Sequence, residues 1–162
     1  MEDEVDQLIA GWRRALPDVD SSPLEVLSRV TRLARHLDRQ RTTVLARHDL
    51  EIWTFDVLSA LRRSEPPHQL SPGQLVAQTM VTSGTMTNRI DHLEQRGLVR
   101  RRPDPADARS VRVQLTAAGR RRVDGALVDL VARENAILGA LDDDARAALA
   151  DLLRRVVAPF DA

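Results

Sequence analysis

Apolar residues recur at helical spacing along most of the chain, and polar punctuation separates the runs. Val5, Leu8, Ile9, Trp12 and Leu16 form the stripe of an amphipathic helix over 5–16, ended by Pro17 and the acids after it. Ser21 or Ser22 stands where a helix cap belongs, with Pro23 at an early position where its missing N–H does no harm. Leu24, Leu27, Val30, Leu33, Leu37 and Val44 then line one side of a helix running to about Arg47. A third helix is expected over Ile52–Arg63, burying Trp53, Val57, Leu58 and Leu61, and Ser64-Glu65-Pro66-Pro67 stops it.

Next comes a short helix over Pro72–Gln78, capped by Ser71 and followed by Thr79–Val81. A further helix from about Ser83 to Gln95 is capped by Thr82 and ended by Gly97, which completes the helix-turn-helix spacing. The period then falls to two. Leu98-Val99 opens a basic strand (Arg100–Arg102), a turn rich in Pro and Asp follows, and Val111, Val113 and Leu115 alternate with Arg112 and Gln114 on the way back. That pattern predicts a two-stranded wing. Thr116 caps a long helix to about Gly139, with Val123, Leu127, Leu130 and Val131 on one side, and Asp142 starts a last helix. Its apolar positions (Leu149, Leu152, Leu153, Val156, Val157, Phe160) are too many for a solitary terminal helix, so the two chain ends are expected to build a dimerisation bundle. The expected fold class is all-α with a small β-hairpin wing. A winged helix-turn-helix would span 50–116, and a helical dimerisation region would draw on 1–49 and 117–162.

Composition narrows the function. At 43% hydrophobic and 30% charged, 162 residues can form a packed core, which excludes disorder. No apolar run approaches the ~18 residues of a membrane span, and the start MEDEVDQLIA lacks the basic opening of a signal peptide, so the expected compartment is the cytoplasm. The absence of cysteine removes disulfides, thiolate metal sites and thiol redox sensing. His36, His48, His68 and His92 never fall at metal-ligand spacing, and no nucleophile elbow, dinucleotide fingerprint or P-loop is present. No enzyme activity, cofactor or metal is therefore expected.

The net charge of zero conceals a segregation. Between Thr82 and Arg122 stand ten Arg against four acids, a surplus of +6 that the rest of the chain cancels. A basic island in an acidic chain reads as the footprint of a polyanion. Within it, Ser83, Thr85, Thr87, Asn88 and Arg89 form the leading face of the second helix of the motif. Asn88 has the amide that pairs with adenine and Arg89 the fork that pairs with guanine, while Thr85 and Thr87 suit phosphate or a thymine methyl. Arg100, Arg102 and Arg112 make the wing basic, and at its tip Asp107 can hold Arg109 for minor-groove or phosphate contact.

The helix FDVLSALRR, the run LSPGQLVAQTMVTSGTMTNRIDHLEQRGLVRR, the wing tip DPADARS with its D-x-R, and the closing VQLTAAG together resemble the winged helix-turn-helix core of MarR-type transcriptional regulators, over residues 50–120. The helices before and after resemble that family's dimerisation region. The resemblance implies a homodimer that binds a pseudo-palindromic duplex as a repressor and leaves it when a small effector binds. Asp56 and Arg63 lie seven apart, ~20° from eclipsed on one helix face. With Arg101, Arg89 and Trp12 they resemble the urate-responsive branch of the family, which also has an N-terminal extension. By that resemblance Arg63 and Arg101 neutralise an anionic heterocycle between dimerisation layer and winged lobe, Asp56 accepts its N–H groups, and Trp12 supplies an aromatic wall. An aconitate-type carboxylate would suit the same arginines. Without ligand, Asp56 would pair with a lobe arginine, Arg89 being the suspect. A ligand-independent DNA binder, and a small-molecule-binding protein without DNA, stand as the alternatives.

Overall fold

The computed structural model describes residues 2–104, 107 and 110–160. These fall into two compact units that divide after Thr43. The first holds α1 (Glu4–Ala15) and most of α2 (Ser22–Arg47). Asp3 caps α1 in a reciprocal capping box with Asp6. Arg29 of α2 donates to Asp3 at 2.9 Å and to Asp6 at 2.7 Å, Arg32 pairs with Glu4, and Arg13 from the last turn of α1 reaches Glu25 at 2.7 Å. Acids early in α1 meet arginines late in this stretch, and the reverse holds at the other end, so the two helices form an antiparallel hairpin over buried Val5 and Ile9. The Arg29 hydrogen bond holds the Asp3 carboxyl down at about 2. The start of α2 corrects the expected cap. The carboxylate of Asp20, not a serine, accepts the Ser22 N–H at 2.9 Å, and the buried Ser21 hydroxyl finds no partner among the described residues.

The second unit runs from Val44 on and contains α3 (Ile52–Arg63), β1 (Gln69–Leu70), α4 (Pro72–Thr79), α5 (Ser83–Gln95), β2 (Val99–Pro103), β3 (Val111–Leu115), α6 (Ala117–Ile137) and α7 (Asp143–Val157). Its core joins Leu45 of α2, Leu58 and Leu61 of α3, Leu75 of α4, Met86, Ile90 and Leu93 of α5, Val113 of β3, and Val123 and Ala126 of α6. Each large side chain of this kind contributes about 1.5–3 kcal/mol when fully buried. The expected caps Ser71, Thr82, Thr116 and Asp142 all accept a backbone N–H from the first turn of their helices.

Two expectations need revision. The wing is not a lone hairpin but a three-stranded antiparallel sheet in the order β1-β3-β2, with Leu70 opposite Val113 and Arg101 opposite Val113 on the other side. A strand of two residues is too short to show any period, so β1 leaves no alternating signature. Trp53 is only half-buried, unlike Val57, Leu58 and Leu61 beside it.

The junction of α5, β2 and α6 is tight. Gly97, at φ 68°, ends α5 in a left-handed conformation that glycine adopts freely. Thr116 then donates its hydroxyl to the carbonyls of Gly97 and Leu98, at 2.8 and 3.0 Å. Gly119, one turn into α6, lies so close that a Cβ there would stand 2.1 Å from the Leu98 carbonyl oxygen. By contrast α7 contains no buried residue, and Leu152, Val156, Val157 and Phe160 are exposed. In the first unit Val26, Leu27, Val30 and Leu33 of α2 are likewise exposed.

The substitution Gly119→Ala is expected to destabilise the protein by about 2 kcal/mol or more, because backbone must move to admit the methyl. Thermal unfolding should show a midpoint lowered by several degrees; an unchanged midpoint would contradict the close approach.

Candidate nucleic-acid interface

Helix α5 divides cleanly into two faces. Met86, Ile90 and Leu93 are buried, whereas Ser83, Thr85, Thr87 and Asn88 are exposed. The turn before it is made by Met80, left-handed at φ 51° and 93% exposed. Two of the hydroxyls are engaged locally. Thr82 and Thr85 share a bond at 2.9 Å, and Thr87 donates to the Ser83 carbonyl at 3.1 Å. Asn88 keeps an exposed amide on this face.

Arg89 is held differently from its neighbours. Its guanidinium lies 5.4 Å above the Trp53 ring, and His92 stacks at a tilt on the same indole, 5.6 Å between centroids. The indole N–H donates to Glu51. Trp53 is thus a shelf on α3 against which the middle of α5 rests, a role that its place in an apolar stripe did not announce.

Arg101 is the most strongly committed cation of the wing. One guanidinium nitrogen reaches Glu94 at 2.5 Å and another reaches Asp91, while the backbone N–H of Arg101 donates to Glu94 at 2.7 Å. Its two carboxylate partners sit one turn apart on α5. Arg101 is therefore the tie between β2 and α5. Strand alternation explains the placement, since Arg101 points to the same side as buried Val99, and Arg100 and Arg102 to the other. Of these two, Arg100 donates to Gln114 at 2.8 Å and Arg102 is exposed. Arg112 turns inward to Asp104 at 2.6 Å and to Gln74 at 3.1 Å, fixing the wing to the start of α4. Asp107 accepts from the Ser110 hydroxyl at 2.9 Å, and Arg109 lies outside the described residues.

The remaining effector candidates divide between the units. Asp56 is half-buried and Arg63 exposed, both on α3. Trp12, on α1, is half-exposed and lines a cavity of about 230 Å³ with Leu16, Val19, Ser21 and Leu24 of its own hairpin.

A winged helix-turn-helix with a polar outer face on α5 is the architecture of a DNA-binding domain. A family model described as the MarR family matches residues 48–110. PecS, an HTH-type transcriptional regulator of Dickeya dadantii, is 35% identical over 94% of this chain and 92% of its own length. The chain belongs to the MarR family. NicR, an HTH-type transcriptional repressor of Pseudomonas putida, is 29% identical over 86% of this chain and 89% of its own. Among solved structures, a MarR family protein from Bacillus stearothermophilus superposes with a TM-score of 0.75 at 20% identity, over 89% of this chain and 99% of that one. The MarR-family regulator Sco5413 from Streptomyces coelicolor gives 0.68 at 26% identity, over 87% and 97%. This MarR-family chain is therefore a DNA-binding transcriptional regulator, its relatives are regulators and not enzymes, and no described helix is long and apolar enough to cross a membrane.

The Arg101 backbone N–H and guanidinium hold the Glu94 carboxyl below its ordinary 4.5. A depressed acid stabilises the fold above its ordinary value and ceases to do so as pH falls through the lowered one. A carbon-detected NMR titration should find Glu94 titrating below 4.5 and Arg101→Gln raising it only part of the way back, since the backbone N–H at 101 remains; an ordinary midpoint in the wild type would refute the tie.

Proposed function

We propose that this MarR-family regulator acts as a homodimeric repressor on a pseudo-palindromic operator and that a small anionic effector, urate or a related purine or carboxylate, releases it. The observation that carries the DNA half is the outer face of α5, where Ser83, Thr85, Thr87 and Asn88 are exposed beside the basic strand carrying Arg100 and Arg102. Asn88 reads a base edge, with Ser83, Thr85 and Thr87 near it, and Arg100, Arg102 and Arg109 supply the backbone or minor-groove contacts, Asp107 serving to orient the wing-tip cation. Arg89 and Arg112 support these contacts from their seats on Trp53 and Asp104.

The exposed face of α7 supports the dimer. A helix with no buried residue and exposed Leu152, Val156 and Val157, followed by exposed Phe160, needs a partner for that face, and a second copy supplies the same face by symmetry. On this reading 1–49 and 117–162 form the dimerisation region and 50–116 the reading head. Repression accords with the repressor NicR among the relatives.

For the effector, Asp56, Arg63 and Arg101 of the second unit are the candidates to hold an anionic heterocycle, with Trp12 a candidate for its aromatic wall by the family resemblance alone. The anion competes with Asp91 and Glu94 for Arg101, and success frees the wing from α5. A change of one or two Å in head separation then suffices, because the half-sites must lie about 34–36 Å apart.

A mobility-shift titration with the chain's own promoter should give a retarded band at low salt that urate, xanthine or aconitate dissolves. A band indifferent to all three would end the effector reading, and no band would end the DNA reading. Asp56→Asn should retain operator binding and lose release by the ligand. Asn88→Ala should lose about 1–3 kcal/mol of discrimination at one base pair, whereas Arg102→Ala should lower the salt slope by about one unit with no change in sequence preference. Paired substitutions Leu152→Asp and Val156→Asp should give a monomer by sedimentation, with operator affinity lost.

A further inference from the structure

The loop joining α2 to α3 is bonded outward on several sides. His48 Nε2 lies 2.8 Å from Asp129 of α6. Asp49, left-handed at φ 54°, accepts from Arg96 beyond the end of α5 at 2.7 Å and from Arg122 of α6 at 2.6 Å. These hydrogen bonds, Arg96 foremost, hold the Asp49 carboxyl below its ordinary range, so it is ionised at neutral pH. Beside the loop opens a shallow basin of about 400 Å³, lined by Arg47, His48, Asp49, Ala118, Arg121 and Arg122.

Charge in the basin is unequal. Arg47 and Arg121 are exposed there and, among the described residues, take part in no ion pair. The only carboxylate lining it is Asp49, already divided between two guanidinium groups and 79% exposed. We propose that this basin binds a compact multivalent anion, a diphosphate or a polycarboxylate, and that the occupant takes Arg122 from Asp49 and so unties α6 from the loop that braces the C-terminal end of the recognition helix.

The chemistry sets the class. Guanidinium forks match the oxygens of phosphate and carboxylate groups in pairs. A monovalent anion would face Asp49 as an equal competitor, whereas one with two or more charged groups engages Arg47 and Arg121 together and then outbids the single carboxylate for Arg122. The volume suits a small molecule of this kind and no more. The site shares no residue with the Asp56, Arg63 and Arg101 set, so it stands or falls apart from the effector reading above. Its consequence passes through Asp49, which keeps Arg96 at the end of α5 but loses its tie to Arg122 of α6, so the loop and the end of α5 are no longer braced against α6.

The test is calorimetric titration of the full chain with inorganic pyrophosphate and with citrate at constant ionic strength, with sulfate as the control. One of the two anions is expected to bind once per chain and to weaken operator binding, and the stronger of them fixes the ligand class. The double variant Arg47→Gln, Arg121→Gln should bind it at least about tenfold more weakly, as loss of charge-assisted bonds implies, with its operator affinity unchanged when no anion is added. Asp49→Asn should bind the anion at least as tightly as the wild type, yet its operator affinity should no longer respond. Far-ultraviolet circular dichroism checks that each variant is folded. The proposal is overturned by no binding of either anion above that of sulfate, by equal binding in the double variant, or by an operator affinity indifferent to the bound anion. Weaker operator binding by the double variant without anion would instead make the basin a DNA-backbone contact. In all but that last case operator binding itself persists, so failure here leaves the regulatory reading untouched.

Discussion

The bond between Arg101 and the paired carboxylates of Asp91 and Glu94 is what makes a reading head out of separate pieces. Helix α5 has 13 residues, a length at which an isolated helix is marginal in water, and a strand pair is no more self-sufficient. Hydrophobic burial of Met86, Ile90 and Leu93 fixes one side of α5 but leaves its rotation and pitch relative to the wing to softer forces. A guanidinium that takes two carboxylates one turn apart defines both. Trp53 braces the middle of the helix through Arg89 and His92, and Asp49 holds the residue just beyond its end through Arg96.

This arrangement splits the basic island into two populations. Arg96, Arg101, Arg112 and Arg122 point at carboxylates of the same unit and act as internal fasteners. Arg100 and Arg102 lie on the other side of β2, with Arg102 exposed to solvent. The surplus of positive charge is real, but only part of it faces outward. Fasteners made of arginine keep their charge across any physiological pH, so their strength varies only through the carboxylates that they hold.

Much of the fold was legible because local rules agreed with one another. Ser71, Thr82 and Thr116 are caps in the sequence and in the structure, and Gly97 ends α5 as a glycine at that place should. The change of period at Leu98 marked the wing. What escaped notice has a common cause: side-chain partners that are distant in sequence carry no periodic trace. Arg101 could be placed on the Val99 side of β2 by alternation alone, but its carboxylates lie on another element. Trp53 read as core filler because apolar spacing does not distinguish a core residue from a platform for an arginine. Asp20 displaced the serines at the start of α2 since any short acceptor in that turn can serve, and the sequence offered three. The two-residue β1 was invisible to period counting, although buried Leu70 pairs through it with the centre of the sheet.

Gly119 has a mechanical consequence. With its backbone pressed to Leu98 and Thr116 bonded to the same carbonyl, the first turns of α6 are welded to the hinge of the wing, and packing continues as far as Leu130. Leu130 is the last buried residue of α6, so beyond it the helix passes from anchored root to free shaft. A torque applied anywhere along the shaft cannot be absorbed at the root by sliding; it arrives at the sheet and at the tip of α5 as rotation of one stiff body.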